Sequence, residues 1–136
     1  RDSGQASLAR GHGSDRRSPM SESLTIAQYR DTWSEIEFQE AVVNLAHSLG
    51  YKCAHFRPVK QQRRDGSVRW LTPVAADGEG FVDLVCARRG SVPVFMELKA
   101  KRGTPSPAQL EWRDALGGYG YLFKPADWDE IERVLA

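Results

Sequence analysis

Two β-rich runs on either side of a four-residue turn constrain this chain more than any other feature. Gly80 to Ala87 and Val92 to Ala100 are dominated by Val, Leu, Phe, Cys and Met, and Arg88-Arg89-Gly90-Ser91 between them is rich in turn formers. Strands joined so closely pair as an antiparallel hairpin. With the turn centred on Gly90, residues equidistant from it face each other, and Asp83 falls opposite Glu97. Side chains directly opposed on one face have Cβ atoms about 4.5–5.5 Å apart. Period-two alternation adds Lys99 to the face of Glu97, one step of about 6.5–7 Å along the strand.

An Asp, a Glu and a Lys thus converge on otherwise apolar sheet. Two ionised carboxylates at that spacing repel, and they are tolerated when a proton or a cation compensates. A hard divalent cation takes oxygen ligands, which Asp83, Glu97 and the backbone carbonyl of Leu98 offer. The competing reading is a solvent-facing charge cluster in which Lys99 neutralises one acid.

Other elements are marked by their caps. Ser34-Glu35-Ile36-Glu37 is a capping box that opens a helix, whose apolar stripe is Phe38, Val42, Leu45 and Leu49 and whose stop is Gly50. At about 100° per residue, Glu35 lies close to that stripe, whereas Glu37 and Glu40 point away from it. Tyr51 to Arg57 reads as a strand, and Pro58 to Glu79 as a long polar insertion. Ser106, Pro107 and Gln109 start a second helix that ends at Gly117-Gly118. Tyr119 to Phe123 is a fourth strand, and Asp127 caps a last helix running to Leu135. The expected fold is therefore α/β, in the order αβββαβα, with a mixed four-stranded sheet flanked by helices. Residues 1–32 read as a disordered or weakly structured extension and 33–136 as one domain with a basic insertion at 58–79.

A chain of 136 residues is long enough for one such domain. No apolar run approaches the roughly 18–20 residues of a membrane span, and no hydrophobic signal-peptide core is present. Two cysteines are too few for a disulfide scaffold and fit a reducing compartment. The expectation is a soluble, cytoplasmic domain. Its formal charge of +1 hides an asymmetry: residues 52–102 hold eleven Lys and Arg against five acids. Arg57, Lys60, Arg63, Arg64 and Arg69, joined by Arg88, Arg89, Lys101 and Arg102, form a basic segment suited to an anionic partner, and Trp70 could stack on an unpaired base.

Asp83 followed after thirteen residues by Glu97-Leu98-Lys99 resembles the PD-(D/E)XK nuclease signature. Ser34-Glu35 with Phe38-Gln39, then Gly80-Phe81-Val82-Asp83-Leu84, Phe95-Met96-Glu97-Leu98-Lys99 and Ser106-Pro107-Ala108-Gln109-Leu110-Glu111-Trp112 are similar, in that order, to motifs of its virus-type replication-repair (VRR-NUC) branch. Pro125-Ala126-Asp127-Trp128-Asp129-Glu130-Ile131 resembles the ending of phage and bacterial members, so the likeness spans about residues 33–135. It implies a restriction-endonuclease-like core with Glu35, Asp83 and Glu97 as the acidic set around Mg²⁺, for which Mn²⁺ can substitute. Lys99 would be the catalytic lysine and Gln109 the helix residue facing the site. The implied activity is DNA endonuclease, structure-selective for Holliday-junction or branched DNA. A homodimer and the cytoplasm of a bacterium or phage-infected host follow by the same implication. Val82 stands where the family has Pro, and the 58–79 insertion exceeds that of compact members. A catalytically silent DNA-binding module and a sequence-specific restriction-type endonuclease are the alternatives.

Overall fold

The computed structural model describes residues 23–71 and 73–136; the extension assigned to residues 1–32 lies outside the described residues as far as residue 22. The elements are α1 (Ile26–Asp31), α2 (Glu35–Ser48), β1 (Lys52–His55), β2 (Val59–Gln62), β3 (Val68–Leu71), β4 (Leu84–Ala87), β5 (Val94–Leu98), α3 (Pro107–Leu116), β6 (Gly120–Phe123) and α4 (Trp128–Leu135). Short 3₁₀ turns at Gly117–Tyr119 and Pro125–Asp127 bracket β6. A mixed four-stranded sheet in the order β1-β4-β5-β6, flanked by helices, carries the fold. β1, β4 and β5 pair antiparallel and β5 with β6 parallel, α3 supplying the crossover that parallel strands need.

Helix α2 begins as its capping box dictates. Ser34 Oγ accepts from the Glu37 amide at 3.1 Å, and Glu37 Oε1 accepts from the Ser34 amide at 3.4 Å. Phe38, Val42 and Ala46 are fully buried, with Leu45 and Leu49 half-buried beside them. They pack on Leu84, Met96 and Leu98 of the sheet and on Ile131 and Leu135 of α4, all likewise buried. Each large aliphatic side chain so enclosed contributes about 1.5–3 kcal/mol.

The strands are shorter than their apolar runs. β4 starts at Leu84 rather than Gly80, because Gly80 takes φ +77° and the Phe81 amide closes a turn on the Gly78 carbonyl at 3.0 Å. Its register with β5 is Leu84↔Met96, Val85↔Phe95 and Cys86↔Val94, the pairing expected of a turn at residue 90. Continued by one residue, it sets Asp83 against Glu97 just past the last ladder pair. β1 ends at His55 rather than Arg57, and Cys53 faces Cys86 across the strands as free thiols, Sγ to Sγ 3.2 Å.

Four features depart from the sequence reading. The Pro58–Glu79 stretch is not simply an insertion: β2 and β3 form a separate antiparallel hairpin, turned at Asp65-Gly66, where Gly66 takes φ +87°. Residues 26–31, assigned to the extension, are a helix closed by a Thr25–Gln28 capping box. Asp127 stands before α4 but caps the preceding turn instead, its Oδ2 accepting from the Lys124 amide at 2.8 Å. Arg88 turns inward, donating to the carbonyls of Leu49 at 2.9 Å and Ala136 at 3.2 Å while stacking 4.4 Å over Tyr51, so it braces the fold instead of extending a basic surface.

Candidate active site

Strand β5 delivers Glu97 and Lys99 to one end of the sheet, and the bend before β4 brings Asp83 beside them. Asp83 is locked by the backbone: its Oδ2 accepts from the Leu98 amide at 3.0 Å. The contact is made by the Leu98 amide and does not involve the carbonyl expected as a metal ligand. Glu97 is only 2% exposed, and its Oε1 accepts from Gln109 Nε2 at 2.6 Å. Gln109 reaches it because the Ser106 box fixes the first turn of α3: the Gln109 side-chain oxygen accepts from the Ser106 amide at 2.8 Å, leaving its amino group free to donate to Glu97. The turn at Gly80 permits that approach, since a Cβ there would lie 2.5 Å from the Ala108 carbonyl carbon and 2.7 Å from the Gln109 nitrogen.

Lys99 Nζ lies 3.4 Å from Glu97 Oε1 and 3.6 Å from Glu35 Oε1, so one ammonium bridges α2 and β5. The structure therefore brings together all five residues expected around the reaction: Glu35, Asp83, Glu97, Lys99 and Gln109. Four of them, all but the deeper Glu97, line a cavity of about 880 Å³.

Burial pushes the Glu97 carboxyl up to about 8; the negative charge of Asp83 and the hydrogen bond it accepts from the protonated acid add to the rise, and the Lys99 ammonium opposes it. Once ionised, Glu97 leaves its Oε2 buried without a hydrogen-bond partner. A buried carboxylate with one unpaired oxygen beside a second carboxylate is the donor set a hard cation satisfies. Among the described residues no three His, Cys, Asp or Glu side chains cluster closely enough to form a cage, and Lys99 stands between Glu35 and Glu97. Mg²⁺ suits such a sparse set, because it keeps several waters and takes one or two carboxylates. Asp83 and Glu97 fit it, and Glu35, the third acid expected around the metal, lies 3.6 Å from Lys99 Nζ.

The basic residues divide into three groups. Arg57 and Arg69 line the same cavity as Asp83, Lys99 and Gln109, as do Trp70 and Leu71. Lys60, Arg63 and Arg64 are exposed along the β2–β3 hairpin. Lys101 and Arg102 border a different depression near α1, where Asp31 lies 3.6 Å from Lys101 Nζ.

Two further residues belong to the surroundings of the site. Gln39, 9% exposed, lines the cavity with Glu35; its signal was a polar residue directly after Phe38 on a buried face. His55 Nδ1 accepts from Arg57 Nε at 3.3 Å, which places the neutral ring's proton on Nε2. Burial and the Arg57 charge hold this imidazole below its ordinary range, against a smaller opposing pull from Asp83. No family model, curated protein or solved structure matches the chain.

Proposed function

We propose that this protein is a Mg²⁺-dependent DNA endonuclease of the VRR-NUC type, with a restriction-endonuclease-like core and a preference for branched DNA such as a four-way junction. The observation that carries the reading is Glu97: buried, short of one hydrogen bond, and set beside Asp83 under a cavity that Lys99, Arg57 and Arg69 line. The large majority of buried side-chain polar atoms are hydrogen-bonded, and among the described residues Glu97 Oε2 and His55 Nε2 are the two that lack a partner. A module that only binds phosphate gains nothing from carboxylates beside it. With α1 and the β2–β3 hairpin set aside, the order α2-β1-β4-β5-α3-β6-α4 also supports the reading, being the αβββαβα order of that nuclease class.

Asp83 and Glu97 would hold the cation, which when bound supplies Lewis-acid polarisation of the phosphate and a more acidic water. The chain's own residues divide the remaining work. The Leu98 amide and the Gln109 side chain fix the two carboxylates, so their geometry is set before substrate arrives. Lys99 places a positive charge at the cavity wall, where it can orient the attacking water and offset charge developing on the phosphoryl oxygens. Glu35 holds that ammonium from the other side. Arg57 and Arg69 provide contacts for neighbouring phosphates.

The test is cleavage of end-labelled linear duplex, flap, splayed and four-way-junction DNA in Mg²⁺, Mn²⁺ or EDTA, with Glu97→Ala and Lys99→Ala run at equal concentration. The expected result is metal-dependent cutting, strongest on branched DNA and lost in both variants. DNA that is retarded but never cut would overturn the enzyme reading and leave a binding module. Discrete bands from long linear duplex would replace structure selectivity with sequence specificity.

A further inference from the structure

Among the described residues the β2–β3 hairpin has no partner strand on either side. Its strands pair only with each other, every residue of β2 is exposed, and in β3 only Leu71 is half-buried. A two-stranded ribbon of this kind gains little stability by itself. It nevertheless displays apolar side chains to water: Trp70 is 69% exposed, and Val59 and Val68 are each 47% exposed. The other tryptophans are engaged. Trp33 and Trp128 pack on the core 5.6 Å apart, and Trp112 donates to the Asp77 carbonyl at 3.0 Å.

The surroundings of Trp70 are basic. Lys60 is its direct cross-strand partner, so ammonium and indole share one face of the ribbon. Arg69 precedes it, oriented by donation from Nε to Gln61 Oε1 at 2.7 Å. Arg63 and Arg64 lead into the turn, where Asp65 is committed to Ser67 through bonds of 2.9 and 2.6 Å. An exposed indole with an ammonium on its own face, Arg69 on the opposite face of the ribbon and two further arginines at the turn suits a polyanion that also carries flat aromatic faces. Trp70 and Arg69 line the same cavity as Asp83, Lys99 and Gln109.

We infer that Trp70 is a stacking platform for an unpaired DNA base at the cavity that Asp83 and Lys99 line, with Lys60 on the indole's face and Arg69 on the other binding the flanking backbone. The inference rests on the nuclease reading only for what happens after binding. In an intact duplex every base is stacked and unavailable to the indole, whereas a single-stranded gap, flap or splayed arm presents free bases. Trp70 would therefore be the residue through which this site distinguishes DNA with unpaired bases from continuous duplex.

The experiment measures binding in EDTA, so that cleavage plays no part. Fluorescence anisotropy compares a blunt duplex with the same duplex carrying a single-stranded gap, for the wild-type chain, Trp70→Ala and Trp70→Phe. The expected result is that Trp70→Ala loses between about five- and a hundredfold in affinity for gapped DNA, the range that base–aromatic stacking spans. Duplex binding changes by less than about twofold in the same variant, because phosphate contacts carry it, and Trp70→Phe keeps most of the preference. Oligo(dT) should also quench tryptophan emission in the wild type and not in Trp70→Phe. Equal losses on both DNAs, no loss on either, or no DNA binding at all would each overturn the assignment. Selective loss in Trp70→Ala, in a protein that never cuts DNA with Mg²⁺, would uphold the platform while the nuclease reading fails.

Discussion

Replacing Glu97 by Gln should make the metal-free protein more stable in alkali, the reverse of what losing a buried charged group at a structural ion pair would do. Gln keeps the size of Glu and an oxygen to accept from Gln109 Nε2, but it never ionises. In the wild-type fold the Glu97 carboxyl is held at about 8 rather than its ordinary 4.5. The folded chain therefore binds a proton that the unfolded chain has released. The stability this contributes is complete below pH 4.5 and is lost as pH rises through about 8. At about 1.36 kcal/mol per tenfold difference in proton affinity, the ceiling on that loss is roughly 5 kcal/mol. Water and Lys99 at the cavity can rearrange around the ionised pair, so a loss of about 2 kcal/mol is expected, or ~10 °C in melting temperature for a domain of this size. His55, held below its ordinary range, works in the opposite sense and only below pH 6.5, so it does not interfere between pH 7 and 9. Thermal melts in EDTA at pH 6, 7, 8 and 9 should show the wild type falling up to about pH 8 and levelling by pH 9, with Glu97→Gln level from pH 7 upward. Mg²⁺ at pH 9 should restore the wild type and leave the variant unmoved, because a ligand that binds only the ionised site stabilises only the protein that has it. Parallel melting curves for the two proteins in EDTA would refute the reasoning.

Other expectations follow from the same contacts. Lys99→Met removes the cation that lowers the Glu97 pKa, so the alkaline fall in stability should move to higher pH, while DNA cleavage drops by about a hundredfold or more. Gly80→Ala asks a residue at φ +77° to hold a Cβ against the first turn of α3; a loss of about 2 kcal/mol or more in denaturant melts is expected, with cleavage falling further as Gln109 is displaced from Glu97. Leu98→Ala, at a fully buried position under the site, should cost about 2–5 kcal/mol in the same assay. Neutralising Arg57 and Arg69 together should flatten the dependence of log K for DNA on log [salt] by about two, measured by anisotropy in EDTA.

Most of the site was readable in one dimension because it is held by short-range rules. A turn at Gly90 fixes which residues of two adjacent strands face each other, so Asp83 and Glu97 could be paired by counting, and the ladder found between β4 and β5 has that register. Capping boxes fixed the starts of α2 and α3 for the same reason: both partners lie within one turn. The β2–β3 hairpin escaped because its apolar alternation is weak, Val59 and Val68 standing among Lys, Gln and Arg; the Asp65-Gly66 pair at its turn was the signal to weigh. The α1 helix carries a Thr25–Gln28 box, but no core-facing stripe accompanies it and none of its residues is buried. Arg88 could not be assigned from its neighbours, since the carbonyls that hold it come from Leu49 and Ala136, far along the chain. Asp127 satisfied the spacing of a cap, yet its carboxylate accepts from the Lys124 amide and makes no bond to the helix it precedes.

The measurement that bears most directly on the central claim is the rate of four-way-junction cleavage in Mg²⁺ by the wild type, Asp83→Asn and Glu97→Gln, with each protein first shown to melt as a folded domain. The account predicts cutting by the wild type that EDTA abolishes, and none above background by either variant. Equal cutting by folded Glu97→Gln would contradict it, because the buried carboxylate would then have no part in the reaction.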